Sequence, residues 1–140
     1  MSLDLQLADP SDDAMLDALD AFAAAQMSEP LRCAPSAAAV LTLYPERWRL
    51  PRLANLYRFM VVFDAESIIG YAVVDPDTAQ IRWLVMEFAR AGEIAHFLGS
   101  QALDRWGVVL HGYVENQRIS NALLAEDFIV KIDNELSYAP

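Results

Sequence analysis

The chain has 140 residues, 55% of them hydrophobic, and a formal charge of −10. That length suits one domain spanning residues 1–140 with a sizeable core, and the apolar fraction excludes a disordered chain. Twenty acids against ten bases argue against general nucleic-acid binding, no apolar run approaches the roughly 20 residues of a membrane span, and a lone cysteine, Cys33, excludes an internal disulfide and a structural zinc site.

The opening stretch Met1 to Leu7 has neither the basic region nor the long apolar core of a secretory signal, so a reducing cytoplasm is the expected location. Leu3, Leu5 and Leu7 alternate with Asp4 and Gln6, the period of a half-buried strand. Pro10-Ser11-Asp12-Asp13 reads as a helix start, with Ser11 as N-cap and both aspartates in the positive first turn. Leu16, Leu19, Phe22 and Ala23 supply the apolar stripe, and Pro30 bounds the helix. A second helix is expected from Pro35-Ser36 to Leu43, stopped by Pro45.

Three strands follow: Tyr57 to Phe63, Ser67 to Val74 and Ala79 to Met86, joined by turns at Asp64-Ala65-Glu66 and Asp75-Pro76-Asp77. They form an antiparallel meander. From Gly92 to Trp106 the positions Ile94, Phe97, Leu98, Ala102 and Trp106 mark a buried helical face, and Gly107 fits as its stop. Val108 to Glu115 reads as a strand, Ile119 to Glu126 as a short helix and Phe128 to Ile132 as a last strand. The fold class is therefore α/β (α+β): a mixed, mostly antiparallel sheet of six to seven strands, flanked on both faces by about four helices.

Charge is distributed unevenly. Residues 1–30 hold seven acids and no base, whereas residues 31–60 hold five arginines against Glu46. Within that basic island Arg47, Arg49 and Arg52 flank Trp48, a combination able to recognise an acidic acceptor or a negatively charged protein surface. Neutralisation of acids in the first helix explains the same arginines without a partner. A positive mean hydropathy in so small a domain leaves apolar material for a protein interface or a homodimer.

Two runs resemble a known family. Asn116-Gln117-Arg118-Ile119-Ser120-Asn121-Ala122-Leu123-Leu124-Ala125-Glu126-Asp127-Phe128 has the frame of N-x-x-A-x-x-x-Y-x-x-x-G-F, and Val85-Met86-Glu87-Phe88-Ala89-Arg90-Ala91-Gly92-Glu93-Ile94-Ala95 that of V-x-P-x-x-R-G-x-G-I-G. Both patterns, with the element order, are similar to the GCN5-related N-acetyltransferase (GNAT) superfamily. Arg90, Ile94 and Ala95 match the loop pattern and Gly92 is displaced by one position; departures include Leu123 at the tyrosine, Asp127 at a glycine and Glu93 at the central glycine of the phosphate loop.

The resemblance implies direct transfer of an acetyl group from acetyl-coenzyme A, as co-substrate, to a primary amine of a small molecule or a protein. The implied coenzyme-binding positions are Val85, Met86, Arg90, Ala91, Gly92 and Ala95, with Asn116 holding the pantetheine arm. Candidate acid and base are Tyr113 and Glu115, which alternation places with His111 on one strand face, and Glu87 is a third candidate. Leucine at position 123 cannot donate a proton. The alternative is a catalytically silent member of the fold, a protein-binding module or a sensor of coenzyme A thioesters.

Overall fold

In the computed structural model the described residues are 3–9, 11–26, 57–112, 128–130 and 136–139. The expected helices at Pro35–Leu43 and Ile119–Glu126 lie outside them. The first strand, β1 (Leu3–Leu7), is followed by α1 (Asp13–Gln26), and the meander is β2 (Arg58–Asp64), β3 (Ser67–Val74) and β4 (Ile81–Met86). A 3-10 turn, Phe88–Arg90, leads into α2 (Ala91–Trp106), which precedes β5 (His111–Gly112), β6 (Phe128–Val130) and β7 (Leu136–Tyr138).

The first four strands make an antiparallel sheet in sequence order, from Leu3 against Asp64 to Gly70 against Met86. Its strands β2 and β3 are buried on both faces, as a central layer between two helices requires. Phe59, Val61, Tyr71, Val73 and Val85 meet Leu16, Leu19 and Ala23 of α1. Met60, Val62, Ala72, Leu84 and Met86 meet Ile94, Ala95, Leu98 and Ala102 of α2. The expectation of helices on both faces is correct.

The last three strands form a second antiparallel sheet in the order β5-β7-β6, joined to the first at one parallel bridge, Gln80 with His111. The expected single mixed sheet with about four helices is therefore corrected among the described residues to two antiparallel sheets, seven strands and two α-helices. Strand β7, absent from the sequence reading, inserts between β5 and β6. Its three residues, Leu136-Ser137-Tyr138, are too few to show a period.

Two local details position the helices. Asp12, not Ser11, caps α1: its Oδ1 accepts from the N–H of Met15 at 3.0 Å, while Ser11 turns back to donate to Asp9. Gly107 ends α2 in the left-handed region (φ 64°), sending its N–H to Leu103 at 2.9 Å. The far end of α2 is held by Arg58, which stacks 4.1 Å from the Trp106 ring centroid, and by Arg105, which donates to the Leu5 carbonyl at 3.3 Å. Neither described helix is long and apolar enough to cross a membrane.

Candidate functional site

The end of β4 runs into α2 through one tight turn, so the second half of the phosphate-loop match is a strand-to-helix junction. Glu87 makes the last ladder bond, its N–H reaching the Ile69 carbonyl at 2.9 Å, and Arg90 donates its N–H to the Glu87 carbonyl at 3.1 Å. Because backbone groups alternate along an antiparallel strand, Val85 shares the inward orientation of Glu87 and pairs with Tyr71. Met86 points its N–H and C=O the other way, toward the side where β5 joins at Gln80. The side chains of Val85 and Met86 are both fully buried, so their backbone is what they can offer a ligand.

Beyond the turn, Ala91 and Ala95 are buried and Gly92 is half-buried. Arg90 occupies the N-cap position and makes no side-chain capping bond to the first turn of α2. The first N–H groups of a helix lack intrahelical acceptors and carry the positive end of its dipole, which suits an anion. Close approach of this turn to the sheet depends on Gly70. A Cβ there would lie 3.0 Å from Cγ2 of Ile94 and 3.2 Å from both Cγ of Met86 and the Val85 carbonyl.

Arg90 is held by two carboxylates. Its Nη1 donates to Oδ2 of Asp64 at 2.8 Å, and its Nη2 donates to Oε1 of Glu93 at 2.6 Å. Glu93 first, and Asp64 second, hold the guanidinium pKa above its ordinary value. Glu93 remains 41% exposed, so solvent weakens that pair. Neutral, small residues at an uncapped helix start fit a diphosphate in shape. Two carboxylates around one guanidinium fit it less well in charge.

The structure thus gathers Val85, Met86, Glu87, Arg90, Ala91, Gly92 and Ala95 at one junction. Glu87 is half-buried there. Tyr113, Glu115, Asn116, Leu123, Asp127 and the basic island Arg47–Arg52 lie outside the described residues. His111 is placed beside Thr78, with Nε2 2.8 Å from its carbonyl oxygen. His96 is partly buried and packs edge-on to Tyr138, with centroids 6.1 Å apart. Asp64 and Gly70 were missed as site residues. The first reads as a turn acid and the second as an ordinary strand glycine, and no local signal shows what either meets.

No protein-family model and no curated protein matches the sequence. Among solved structures, the chain is similar to the PaiA N-acetyltransferase from Thermoplasma acidophilum in complex with coenzyme A, with a TM-score of 0.60 and 12% identity over 100% of both chains. The chain therefore has the acetyltransferase fold. At that identity the likeness establishes fold alone.

Proposed function

We propose that this chain is a divergent GNAT-superfamily domain that transfers an acyl group, acetyl in the simplest case, from a coenzyme A thioester to a primary amine. The observation that carries the reading is the junction of β4 with α2. An uncapped helix start, small residues and an outward-facing Met86 N–H occur together on a fold shared, end to end, with a coenzyme A-bound N-acetyltransferase. The thioester supplies an activated carbonyl. The protein has to position it, receive its negative charge and manage two protons.

In this reading the first N–H groups of α2, at Ala91, Gly92 and the residues after them, receive the diphosphate, with Arg90 beside them and Ala95 leaving room. Asn116 bonds the amides of the pantetheine arm. The Met86 N–H stabilises the oxyanion as the amine nitrogen attacks the carbonyl carbon. The C–N bond forms, the C–S bond breaks, Glu115 or Glu87 takes the amine proton, and Tyr113 returns one to the thiolate. A cytoplasmic single domain accommodates this chemistry, and the Arg47–Arg52 island is our proposed acceptor- or partner-facing surface.

A second reading, a thioester sensor without turnover, is favoured by one feature: leucine occupies position 123, where the resemblance places a proton donor. The two separate by thiol release from acetyl-coenzyme A over a panel of primary amines. Transfer requires release with at least one amine, and a drop in kcat of roughly 100-fold in Glu115→Gln or Tyr113→Phe with KM for the thioester little changed. Ligand binding with no release for any amine would remove the transferase and leave the sensor.

A further inference from the structure

We propose that Glu93 is an affinity-setting residue of the coenzyme site, a built-in anion that occupies Arg90 where a phosphate of the ligand would otherwise engage it. The inference rests on the coenzyme reading above and concerns how strongly that site holds its ligand.

Three features support it. Arg90 bridges two parts of the chain, the end of β2 through Asp64 and the first turn of α2 through Glu93, at 2.8 Å and 2.6 Å. A guanidinium held at both terminal nitrogens has a fixed plane and commits one N–H on each to a carboxylate, so a phosphate competes with Asp64 and Glu93 for those donors. Glu93 is the more displaceable of the two, being 41% exposed against 32% for Asp64 and carried on a longer side chain. Its position adds a second form of competition. A carboxylate in the first turn already complements the helix dipole, the same stabilisation that a bound phosphate draws on.

The geometry assigns different parts to the two acids. Asp64 ends β2 in register with Ser67 and anchors Arg90 to the sheet. Glu93 is the mobile competitor, and its departure leaves Arg90 tethered by Asp64 with Nη2 turned toward the ligand. The resulting site holds coenzyme A loosely, which favours exchange of spent for acylated coenzyme.

Isothermal titration of the full chain with coenzyme A tests this. Glu93→Gln keeps size and helix compatibility, and Glu93→Ala serves as a second variant; both are expected to bind about five- to tenfold more tightly than wild type. Glu66→Gln removes one acid from the exposed β2–β3 turn without touching Arg90 and is expected to leave the affinity unchanged. In an Arg90→Ala background the gain from Glu93→Gln should shrink, because the competition acts through the guanidinium. Equal or weaker binding by both Glu93 variants, with wild type binding measurably, overturns the inference and leaves the coenzyme reading standing. An equal gain from Glu66→Gln also overturns it, since general charge would then be the cause. No heat from wild type or from any variant at millimolar coenzyme A overturns the inference and the reading beneath it.

Discussion

The ring of Tyr138 occupies the space that a side chain on Gly99 would need: a Cβ at Gly99 would lie 2.4 Å from Cδ1 and 2.6 Å from Cγ of that ring. Backbone of α2 therefore meets an aromatic face of β7 directly, and His96, one turn earlier, closes on the same ring. Through this contact the helix that opens at the β4–α2 junction is docked on the sheet that contains β5. The two halves of the proposed cleft are held in one arrangement by a residue with no side chain.

Gly99→Ala should accordingly destabilise the protein by about 1–3 kcal/mol through overpacking, read as a lower denaturant midpoint at an unchanged slope. Pairing it with Tyr138→Leu should recover part of the loss. An alanine variant as stable as wild type would mean that α2 and β7 are not in this contact.

Gly70 has a smaller clash and a more functional consequence. Gly70→Ala brings a methyl against Ile94, Met86 and the Val85 carbonyl, so the first turn of α2 must move off the end of β4. A stability loss of about 1 kcal/mol is expected, together with coenzyme A binding weakened several-fold. Ile94→Leu in the same chain, which removes the branched Cγ2 methyl nearest the new Cβ at equal volume, should restore part of both. Loss of stability with full affinity would separate the helix start from the binding site.

At the start of α1, the cap assignment predicts an asymmetry between neighbours. Asp12→Ala removes the acceptor for the Met15 N–H and should cost about 0.5–2 kcal/mol. Ser11→Ala, whose hydroxyl bonds only the preceding Asp9 among the described contacts, should cost less. Equal effects, or a larger one at Ser11, would return the cap to the serine.

Asp9 gives that start a pH dependence of definite sign. Its carboxylate accepts from the N–H and the hydroxyl of Ser11, which lowers its pKa below the ordinary aspartate value. A carboxylate with a depressed folded-state pKa stabilises the fold above its unfolded value, about 3.9, and that contribution is lost as pH falls through the folded one. The difference in melting temperature between wild type and Asp9→Ala should be constant from pH 7 to pH 5 and shrink below about pH 4. A difference that grows on acidification would reverse the assignment.

Local physics explains which parts of the molecule were legible from the sequence. The meander was readable because its strands are long, β-branched and separated by strong turn residues; Asp75 accepts from the N–H of Asp77 at 2.9 Å, as such a turn requires. The stop at Gly107 was readable because only a left-handed residue satisfies that end of α2. The strand-to-helix junction at Val85–Ala95 was readable because an apolar strand ends there and a helical stripe begins.

What escaped were particular side-chain contacts made across the fold. His96 faces away from the main stripe of α2, and it packs on a strand too short to be foreseen, β7. Asp64 reaches Arg90 across 26 residues, and its type and neighbours mark it only as a turn acid. Among Asp9, Ser11 and Asp12, all good capping residues, the choice depended on the entry angle of the chain from β1, which the sequence does not encode locally.

Whether the junction of β4 and α2 receives coenzyme A is best decided by thermal melting of the full chain with and without acetyl-coenzyme A, beside Arg90→Ala and Asn116→Ala. At a hundredfold excess over the dissociation constant the ligand should stabilise wild type by about 2.7 kcal/mol, a rise in Tm of roughly 8 °C, with smaller shifts in both variants. An unchanged Tm at millimolar acetyl-coenzyme A would contradict the enzyme and the sensor alike, leaving an acetyltransferase fold put to another use.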